Sequence, residues 1–339
     1  MAILVTGGTG YIGSHTVVEL LNAGYDVAIL DNYSNSKPIV LDRIEEITGK
    51  RPRFYFADIQ DEAAMRKVFE AEKVTDIIHF AGLKSVAESV KFPELYEANN
   101  VGGTKVILRL MKEYGVNNLV FSSSATVYGV PDHVPLKEDD KVGGCTNPYG
   151  QTKLDIEFLL KDFCKEVPTA NVAILRYFNP IGAHKSGRIG EDPTGIPNNL
   201  MPYITQVAVG KRPYLNVYGS DYKTVDGTGV RDYIHVVDLA IGHLCALRRL
   251  EAKPGLVIYN LGTGKGTSVL ELVHAFEKAN NIKIEYKICD RRPGDVDENY
   301  ADASKALKEM GWKTERDIVD ACKDSWNWQS HNPNGYEEK

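Results

Sequence analysis

Short apolar runs alternate along the first half of the chain with segments whose apolar residues recur at helical spacing. The runs are rich in Val, Ile, Leu and Phe and nearly continuous, as expected for parallel strands buried on both faces. They cover residues 2–5, 26–31, 53–57, 76–80, 118–121 and 172–177. Helical patterning covers residues 11–23, 61–72, 94–114 and 149–166. This alternation predicts an α/β protein with a doubly wound parallel sheet.

The character of the sequence changes near Pro180. From there to Asp226 the chain is rich in Gly, Pro, Asn and Tyr, which predicts shorter elements and a smaller, loop-rich domain closing over a cleft. We expect a sheet domain over residues 1–180 and a second domain over 181–339, with part of 230–265 packing back on the first. The polar residues 332–339 predict a frayed tail.

The first strand leads directly into Thr6-Gly7-Gly8-Thr9-Gly10-Tyr11-Ile12-Gly13 and then into a helical segment. In the dinucleotide-binding (Rossmann) fingerprint, the first glycine permits a tight turn, the second lets the backbone approach a pyrophosphate, and the third lets the helix pack on the strand. Helix N–H groups then meet the phosphates. Asp31 ends the second strand, where a carboxylate accepts from the ribose hydroxyls and repels a 2′-phosphate. Strand, helix and acid together predict NAD rather than NADP.

Polar or small residues follow several of the other predicted strands: Asp58, Ala81-Gly82, Ser122-Ser123-Ser124 and Asn179. In doubly wound sheets, ligands bind outside the carboxyl ends of the strands. We therefore expect these residues to line the cofactor cleft.

Tyr149 and Lys153 lie four residues apart at the start of a predicted helix, which places them on one face. Tyr33 and Lys37 have the same spacing, but they follow the ribose-binding strand in a predicted turn. A cation about 5 Å from a phenol, at an effective dielectric near 20, contributes roughly 3 kcal/mol, or about two pK units. Lys153 and an oxidised nicotinamide ring are therefore expected to lower the pKa of Tyr149 toward neutral pH and make it a general base. Ser124 would share the same substrate oxygen.

Composition narrows the function further. The 339 residues are 43% hydrophobic and carry a net charge of −6, which argues against nucleic-acid and anionic-membrane partners. The five cysteines have no CxxC spacing and the eight histidines no HxxxH pattern, so we expect reduced thiols and no metal site. No charged n-region opens the sequence, since the first Lys is Lys37, and we expect a cytoplasmic protein.

At this point the chain resembles the extended short-chain dehydrogenase/reductase family, and within it the branch that epimerises UDP-hexoses at C4. The resemblance extends over nearly the full length. The matching segments are residues 5–13, 80–86, 122–129, 147–150, 176–183, 198–202, 227–236 and 291–295. It implies interconversion of UDP-galactose and UDP-glucose, with oxidation at the sugar C4 by NAD, rotation of the 4-keto intermediate and return of the hydride.

The resemblance also implies the site residues. Tyr149, Lys153 and Ser124 would be catalytic. Cofactor contacts would come from Gly7, Gly10, Tyr11, Ile12, Gly13, Asp31, Asn32, Asn35, Ser36, Asp58, Ile59, Phe80, Ala81, Gly82, Lys84, Asn99, Ser124, Tyr149, Lys153 and Phe178. Substrate contacts would come from Lys84, Ser124, Tyr149, Asn179, Asn199, Leu200, Asn216, Tyr218, Arg231, Arg292, Asp295 and Asn299.

Three of these positions have more specific implied roles. Arg231 and Arg292 match diphosphate clamps, in keeping with bidentate arginine recognition, although either could be an ordinary surface ion-pair partner. Asn299 matches a position on the sugar pocket's wall where the family varies. A tyrosine there is associated with restriction to UDP-galactose and UDP-glucose, so Asn299 would also admit N-acetylated UDP-hexoses. The alternative places Asn299 in a solvent-exposed turn.

The resemblance further implies a homodimer joined through segments 94–114 and 149–166. Leu95, Leu108, Leu159 and Phe163 are the candidate apolar face, unless they only pack on their own sheet.

Two other functions remain open at this stage. A nucleotide-sugar 4,6-dehydratase would carry carboxylates directly after the strand-end serine, whereas Ala125 and Thr126 follow Ser124 here. A non-catalytic NAD-sensing regulator would not need Tyr149, Lys153 or Ser124.

Overall fold

The structure is a computed structural model that describes residues 2–292 and 294–337. Seven strands form its main sheet: β1 (Ala2–Thr6), β2 (Val27–Asp31), β3 (Arg53–Phe56), β4 (Val74–His79), β5 (Asn118–Ser124), β6 (Asn171–Tyr177) and β11 (Leu256–Leu261). Their order is β11-β6-β5-β4-β1-β2-β3, and every neighbouring pair is parallel. The predicted doubly wound parallel sheet is confirmed.

Twelve α-helices are described: α1 (Tyr11–Asn22), α2 (Ile39–Thr48), α3 (Glu62–Ala71), α4 (Val86–Lys91), α5 (Pro93–Tyr96), α6 (Gly103–Tyr114), α7 (Pro148–Glu166), α8 (Leu200–Ala208), α9 (Val236–Leu250), α10 (Val269–Asn280), α11 (Ser304–Met310) and α12 (Ile318–His331). One apolar cluster joins the sheet to α1 and α9, and another joins its opposite face to α3, α6 and α7. Apolar side chains thus cover both faces, as continuous apolar strands require.

Seven short strands complete the fold: β7 (Asn179–Ile181), β8 (Leu215–Tyr218), β9 (Val230–Arg231), β10 (Tyr233–His235), β12 (Thr267–Ser268), β13 (Tyr286–Cys289) and β14 (Glu298–Asn299). A third apolar cluster lies among β8, α8, α10 and α12. β11 returns to the edge of the main sheet beside β6. The two-domain division itself stays a prediction.

The segment predicted to be helical, 94–114, is helical in the structure but is not an α-helix throughout. Between α5 and α6 the chain forms a π-helical segment, Glu97–Gly102. Asn100 explains the wider turn: its buried amide accepts from the Leu83 N–H at 2.8 Å and donates to the Leu83 carbonyl at 3.0 Å. Such π segments often occur at functional sites, and this one places Asn99 beside the cavity described below.

The predicted frayed tail is wrong for residues 332–337, while residues 338 and 339 lie outside the described residues. Tyr336 is only 6% exposed, and its ring lies 4.5 Å from that of Trp328. Its hydroxyl accepts from the Gly190 N–H at 3.1 Å, and its main-chain carbonyl accepts from Lys37 Nζ at 2.9 Å. One buried aromatic ring holds down a segment that is otherwise polar.

Within residues 2–292 and 294–337, no helix is both long enough and apolar enough to span a bilayer.

Candidate active site

A cavity of about 330 Å³ lies at the carboxyl ends of β1, β2, β4, β5 and β6. Many predicted site residues line it: Gly7, Gly10, Tyr11, Ile12, Gly13, Asp31, Asn32, Asn35, Ser36, Ile59, Phe80, Ala81, Gly82, Lys84, Asn99, Ser124, Tyr149, Lys153, Phe178, Asn179 and Asn199. The fold therefore brings the predicted cofactor set and the predicted catalytic set to one place.

The glycine turn between β1 and α1 has the shape that a dinucleotide requires. A Cβ at Gly7, whose φ is +70°, would lie 2.7 Å from the Ala81 nitrogen, and one at Gly13 would lie 2.2 Å from the Gly7 oxygen. A Cβ at Gly10 would meet only the Gly7 oxygen, at 3.3 Å, so its other side is open to the cavity. No side chain of the described residues caps α1 at Gly10. Its first-turn N–H groups therefore remain available to a pyrophosphate.

The carboxylate of Asp31 is fixed at the side of this cavity where β2 ends. It accepts from the N–H groups of Thr9 at 3.1 Å and Tyr33 at 2.9 Å. Asp58 does not line the cavity but borders it, because it accepts from the Asn32 amide at 2.9 Å. These residues suit a dinucleotide with an unphosphorylated ribose.

Tyr149 and Lys153 lie in the first turns of α7, which Asn147 caps by accepting from the Gly150 N–H at 2.8 Å. Lys153 Nζ is 5.9 Å from the centre of the Tyr149 ring and donates to the Ser122 carbonyl at 2.6 Å. Ser124 ends β5, and its hydroxyl is close enough to the Tyr149 phenol to lower the pKa of that phenol. The helix start and the strand end thus bring these three side chains together.

Burial shifts the pKa values of both titratable side chains in this cluster, Tyr149 and Lys153. Burial raises the pKa of Tyr149 to about 12, which the hydrogen bond from Ser124 partly offsets. Burial also lowers the pKa of Lys153 to about 8. Burial of the phenol thus opposes the expected lowering of the Tyr149 pKa by Lys153, whose ammonium group donates to the Ser122 carbonyl.

Tyr33 and Lys37, the second tyrosine–lysine pair, have other partners in the structure than Tyr149, Lys153 and Ser124. Tyr33 stacks on Phe54 with a ring separation of 4.9 Å, and Lys37 pairs with Asp192 at 3.2 Å. The location after β2 therefore separates it from the catalytic candidates, as the sequence analysis expects.

A second group of predicted substrate residues lies outside the 330 Å³ cavity: Leu200, Asn216, Tyr218, Arg231, Arg292, Asp295 and Asn299. Asp295 joins both candidate clamps, at 3.7 Å from Arg231 Nη2 and 3.0 Å from Arg292 Nε. The Arg292 guanidinium lies 5.1 Å from the ring centre of Tyr218. One carboxylate thus holds two arginines beside an aromatic ring, an arrangement suited to a nucleoside diphosphate.

Asn299 is not in a turn. It forms β14 with Glu298 and pairs in parallel with β9, in the register Asn299 to Arg231. Side chains of paired residues leave the same face of a sheet, so Asn299 shares the face of the candidate clamp and is half-buried.

Glu191 is a polar residue of this region that the sequence analysis missed. Its carboxylate accepts from Asn199 Nδ2 at 2.6 Å and lies 3.5 Å from Lys84 Nζ. The sequence signal is weak, because Glu191 lies in a loop without periodicity. Its position between two matched segments, 176–183 and 198–202, is the only pointer.

Comparisons with known proteins agree with this site. The sequence profile of the GDP-mannose 4,6 dehydratase family matches residues 4–325. A UDP-glucose 4-epimerase of Pasteurella multocida is 60% identical over 338 residues, covering 100% of both chains.

Solved structures of UDP-glucose 4-epimerases also match this chain over nearly its full length. UDP-glucose 4-epimerase from Bifidobacterium longum, in complex with NAD⁺ and UDP, superposes with a TM-score of 0.96 at 54% identity, covering 99% of this chain and 100% of that one. The enzyme from Stenotrophomonas maltophila, with bound NAD and formylated UDP-arabinopyranose, gives a TM-score of 0.96 at 49% identity, with coverages of 98% and 99%. The chain therefore belongs to the UDP-glucose 4-epimerase family, within the extended short-chain dehydrogenases/reductases.

Proposed function

We propose that Tyr149, Lys153 and Ser124 carry the reaction by which this chain, an NAD-dependent isomerase, interconverts UDP-galactose and UDP-glucose. The single observation behind these roles is their convergence, at the carboxyl end of β5 and the start of α7, on the cavity that also contains the glycine turn. A reversible oxidation of an alcohol needs a group that takes and returns the hydroxyl proton, and a phenol flanked by a hydroxyl and an ammonium group can do so.

Tyr149 takes the proton from the sugar 4-hydroxyl and later returns one to the 4-keto oxygen. Ser124 donates to the same substrate oxygen and keeps it within reach of the phenol. Bound NAD⁺ supplies the hydride acceptor at C4 and, in reduced form, the donor to the opposite face of the ring. Lys153 holds the end of β5 through the Ser122 carbonyl and contributes positive charge beside the phenol.

The second group of residues would hold the substrate's nucleotide. Arg231 and Arg292 bind the diphosphate, Tyr218 and Asn216 lie on the uracil side, and Asp295 orients the arginines. Asn179, Asn199 and Leu200 contact the nucleotide sugar, and Asn299 forms the wall of the sugar pocket. These contacts would hold UDP while the 4-keto sugar rotates, and Phe178 would help to hold the nicotinamide of bound NAD.

We also propose a cytoplasmic homodimer. All five cysteines are free thiols, which suits a reducing compartment. The dimer would form through segments 94–114 and 149–166, on the exposed apolar face that α4, α5 and α7 share. Leu108 and Phe163, named from the sequence as candidates for that face, are buried in the chain's own core and do not belong to it.

Product analysis tests the function. Purified protein is incubated with UDP-galactose without added cofactor, and the nucleotide sugars are separated by chromatography. The proposal expects UDP-glucose at equilibrium with no net change in NADH absorbance. A 4-keto-6-deoxy sugar would instead indicate a dehydratase, and unchanged UDP-galactose with tightly bound NAD would indicate a sensor.

A further inference from the structure

Glu191 stands between two side chains with proposed roles in ligand binding. Its carboxylate is 9% exposed, accepts from Asn199 Nδ2 at 2.6 Å and forms an ion pair with Lys84 Nζ at 3.5 Å. All three residues line a second cavity of about 450 Å³, which shares Lys84 and Asn199 with the first. Glu191 is therefore placed to act on the ligand through its partners.

The chemistry of a carboxylate fixes the orientation of the Asn199 amide. An ionised carboxylate only accepts hydrogen bonds, whereas an amide has one donor end and one acceptor end. Asn199 must therefore turn its NH₂ group toward Glu191, which leaves its carbonyl oxygen for other partners. Asn199 thus presents an acceptor, suited to an N–H or O–H group of the nucleotide sugar.

The fold holds the main chain of Glu191 from both sides. Trp328 Nε1 donates to the Glu191 carbonyl at 3.3 Å. The preceding Gly190 N–H donates to the Tyr336 hydroxyl at 3.1 Å, and the following Asp192 carboxylate accepts from the Tyr336 N–H at 3.0 Å. The carboxylate is therefore set in place by the C-terminal helix and the ordered C-terminal segment.

A second contact joins the same two parts of the chain. Asn198 Nδ2 donates to Ser85 Oγ at 3.3 Å, next to the pair formed by Lys84 and Glu191. The loop after β4, on the cofactor side, is thus linked twice to the segment before α8, on the substrate side.

We propose that Glu191 is a positioning residue for UDP-hexose binding: it orients the Asn199 amide as an acceptor and tethers Lys84 at the boundary between cofactor and substrate. This inference rests on the proposed function, since it assumes that Asn199 contacts the nucleotide sugar. Glu191 itself touches neither the reacting carbon nor the transferred proton.

The first test is Glu191→Gln. The substitution keeps the shape of the side chain but removes its charge, and it replaces a group that only accepts hydrogen bonds with an amide that can also donate them. Asn199 is then free to flip, and Lys84 loses its partner. An interaction with a non-reacting part of the substrate acts on KM rather than kcat. We expect KM for UDP-galactose to rise about tenfold, with kcat within about twofold and the pH profile of kcat unchanged.

Two matched variants separate positioning from a general loosening of the loop. Glu46→Gln alters an exposed carboxylate that pairs with Arg188 of the same loop, and should leave KM within about twofold. Glu191→Asp keeps an acceptor-only group and should lie closer to wild type than Glu191→Gln. Equal KM increases in Glu191→Gln and Glu46→Gln, or in Glu191→Gln and Glu191→Asp, would overturn the proposal.

A double-mutant cycle with Asn199→Ala tests whether Glu191 acts through Asn199. In the Asn199→Ala background, Glu191→Gln should change KM by less than about threefold, since the amide to be oriented is gone. Full additivity of the two changes contradicts the proposal. Calorimetric binding of UDP-galactose in a Tyr149→Phe background gives a second readout, and Kd should change in the same variants and by the same factors as KM.

Product analysis of the wild type is carried out first. If the wild type forms no UDP-glucose, the proposed function is wrong. If the wild type is active and Glu191→Gln leaves KM and Kd unchanged, only the inference about Glu191 is wrong.

Discussion

Burial acts in opposite directions on the two titratable side chains at the start of α7. It raises the pKa of the Tyr149 phenol to about 12 and lowers that of the Lys153 ammonium to about 8. At neutral pH the chain's own groups therefore keep Tyr149 protonated. The positive charge of an oxidised nicotinamide would favour the phenolate, so basicity at Tyr149 is expected to depend on the state of the cofactor.

The lowered pKa of Lys153 predicts a pH-dependent stability. Between pH 8 and 10.5 the folded protein binds fewer protons at this group than the unfolded chain does, so this group makes the free energy of unfolding rise with pH. The full effect is about 3 kcal/mol. Urea unfolding of wild type and Lys153→Met, at matched cofactor content, should give a difference that moves in favour of wild type from pH 7.5 to 9.5. A pH-independent difference would contradict the burial of a charged Lys153.

Asn299 predicts the range of sugars that the enzyme accepts. Its side chain is half-buried, lies on the face of Arg231 and is smaller than that of a tyrosine, so it would leave more space for an acetamide and would offer it a hydrogen bond. We expect wild type to interconvert UDP-N-acetylglucosamine and UDP-N-acetylgalactosamine, and Asn299→Tyr to lose at least about tenfold in kcat/KM for this pair.

The matched measurement is the UDP-galactose reaction of the same two proteins, which Asn299→Tyr should leave within about threefold. If wild type does not turn over the N-acetylated sugars, or the tyrosine variant turns them over equally well, Asn299 is not the gate.

At the scale of elements, α7 is fixed to the sheet by a buried ion pair. Glu157, two turns after Tyr149 on the same face, accepts from Arg176 Nε at 2.9 Å and Nη2 at 2.7 Å. It also accepts from Ser123 Oγ at 2.7 Å, one residue before Ser124. Because both charged side chains are fully buried, this network sets the register of α7 against β5 and β6.

Removing one charge from this pair is expected to be costly. Glu157→Gln leaves the Arg176 guanidinium buried without a counter-charge, and the free energy of unfolding should fall by about 3 kcal/mol or more. Glu166→Gln, on the same helix but with an exposed side chain paired to Lys112, should cost less than about 1 kcal/mol. Urea denaturation of both variants makes the comparison, and equal losses would show that Glu157 does not anchor the helix.

Strands were more predictable from the sequence than helix details. The first six strands of the sheet follow from continuous apolar runs, which burial on both faces demands. The π-helical segment before α6 could not be predicted, because it depends on a hydrogen bond between Asn100 and the distant Leu83. The packing of the C-terminal segment was equally unpredictable, because it depends on contacts of Tyr336 with Trp328 and Gly190, which lie elsewhere in the structure.

Within the site, too, local sequence patterns were predictable and contacts between distant residues were not. The glycine turn, Asp31 and the Tyr149–Lys153 pair are local patterns with fixed spacing, and the structure brings them to one cavity. The pairing of Glu191 with Lys84 spans 107 positions, so no local pattern predicts it. The burial that raises the pKa of Tyr149 could not be predicted locally either, because it depends on how strands and helices distant in the sequence pack around the phenol.

At the scale of the whole molecule, an exposed apolar surface lies on α4, α5 and α7. Val90, Phe92, Leu95 and Phe158 are 62, 54, 49 and 48% exposed, and the helices that carry or flank them pack on one another. Exposed apolar residues grouped on neighbouring helices often mark a protein interface.

Light scattering at micromolar concentration is expected to give twice the 37.6 kDa mass of the chain. Phe158→Asp should shift the protein toward monomer, since it places a charge in the interface. Ile288→Asp, at an equally exposed apolar residue on β13, should leave the dimer intact. A monomeric wild type, or identical behaviour of the two variants, would exclude this surface as the interface.

The most direct test of the central claim is the turnover of Tyr149→Phe with UDP-galactose. The variant loses only the phenolic oxygen that is proposed to exchange a proton with the sugar, so it should fold and retain NAD while losing nearly all activity. Its kcat is compared with that of wild type, with cofactor content measured on both proteins. We expect a loss of a hundredfold or more, about 2.7 kcal/mol in activation free energy. A variant that keeps more than about a tenth of wild-type kcat, a change of only about 1.4 kcal/mol, would contradict the role of Tyr149.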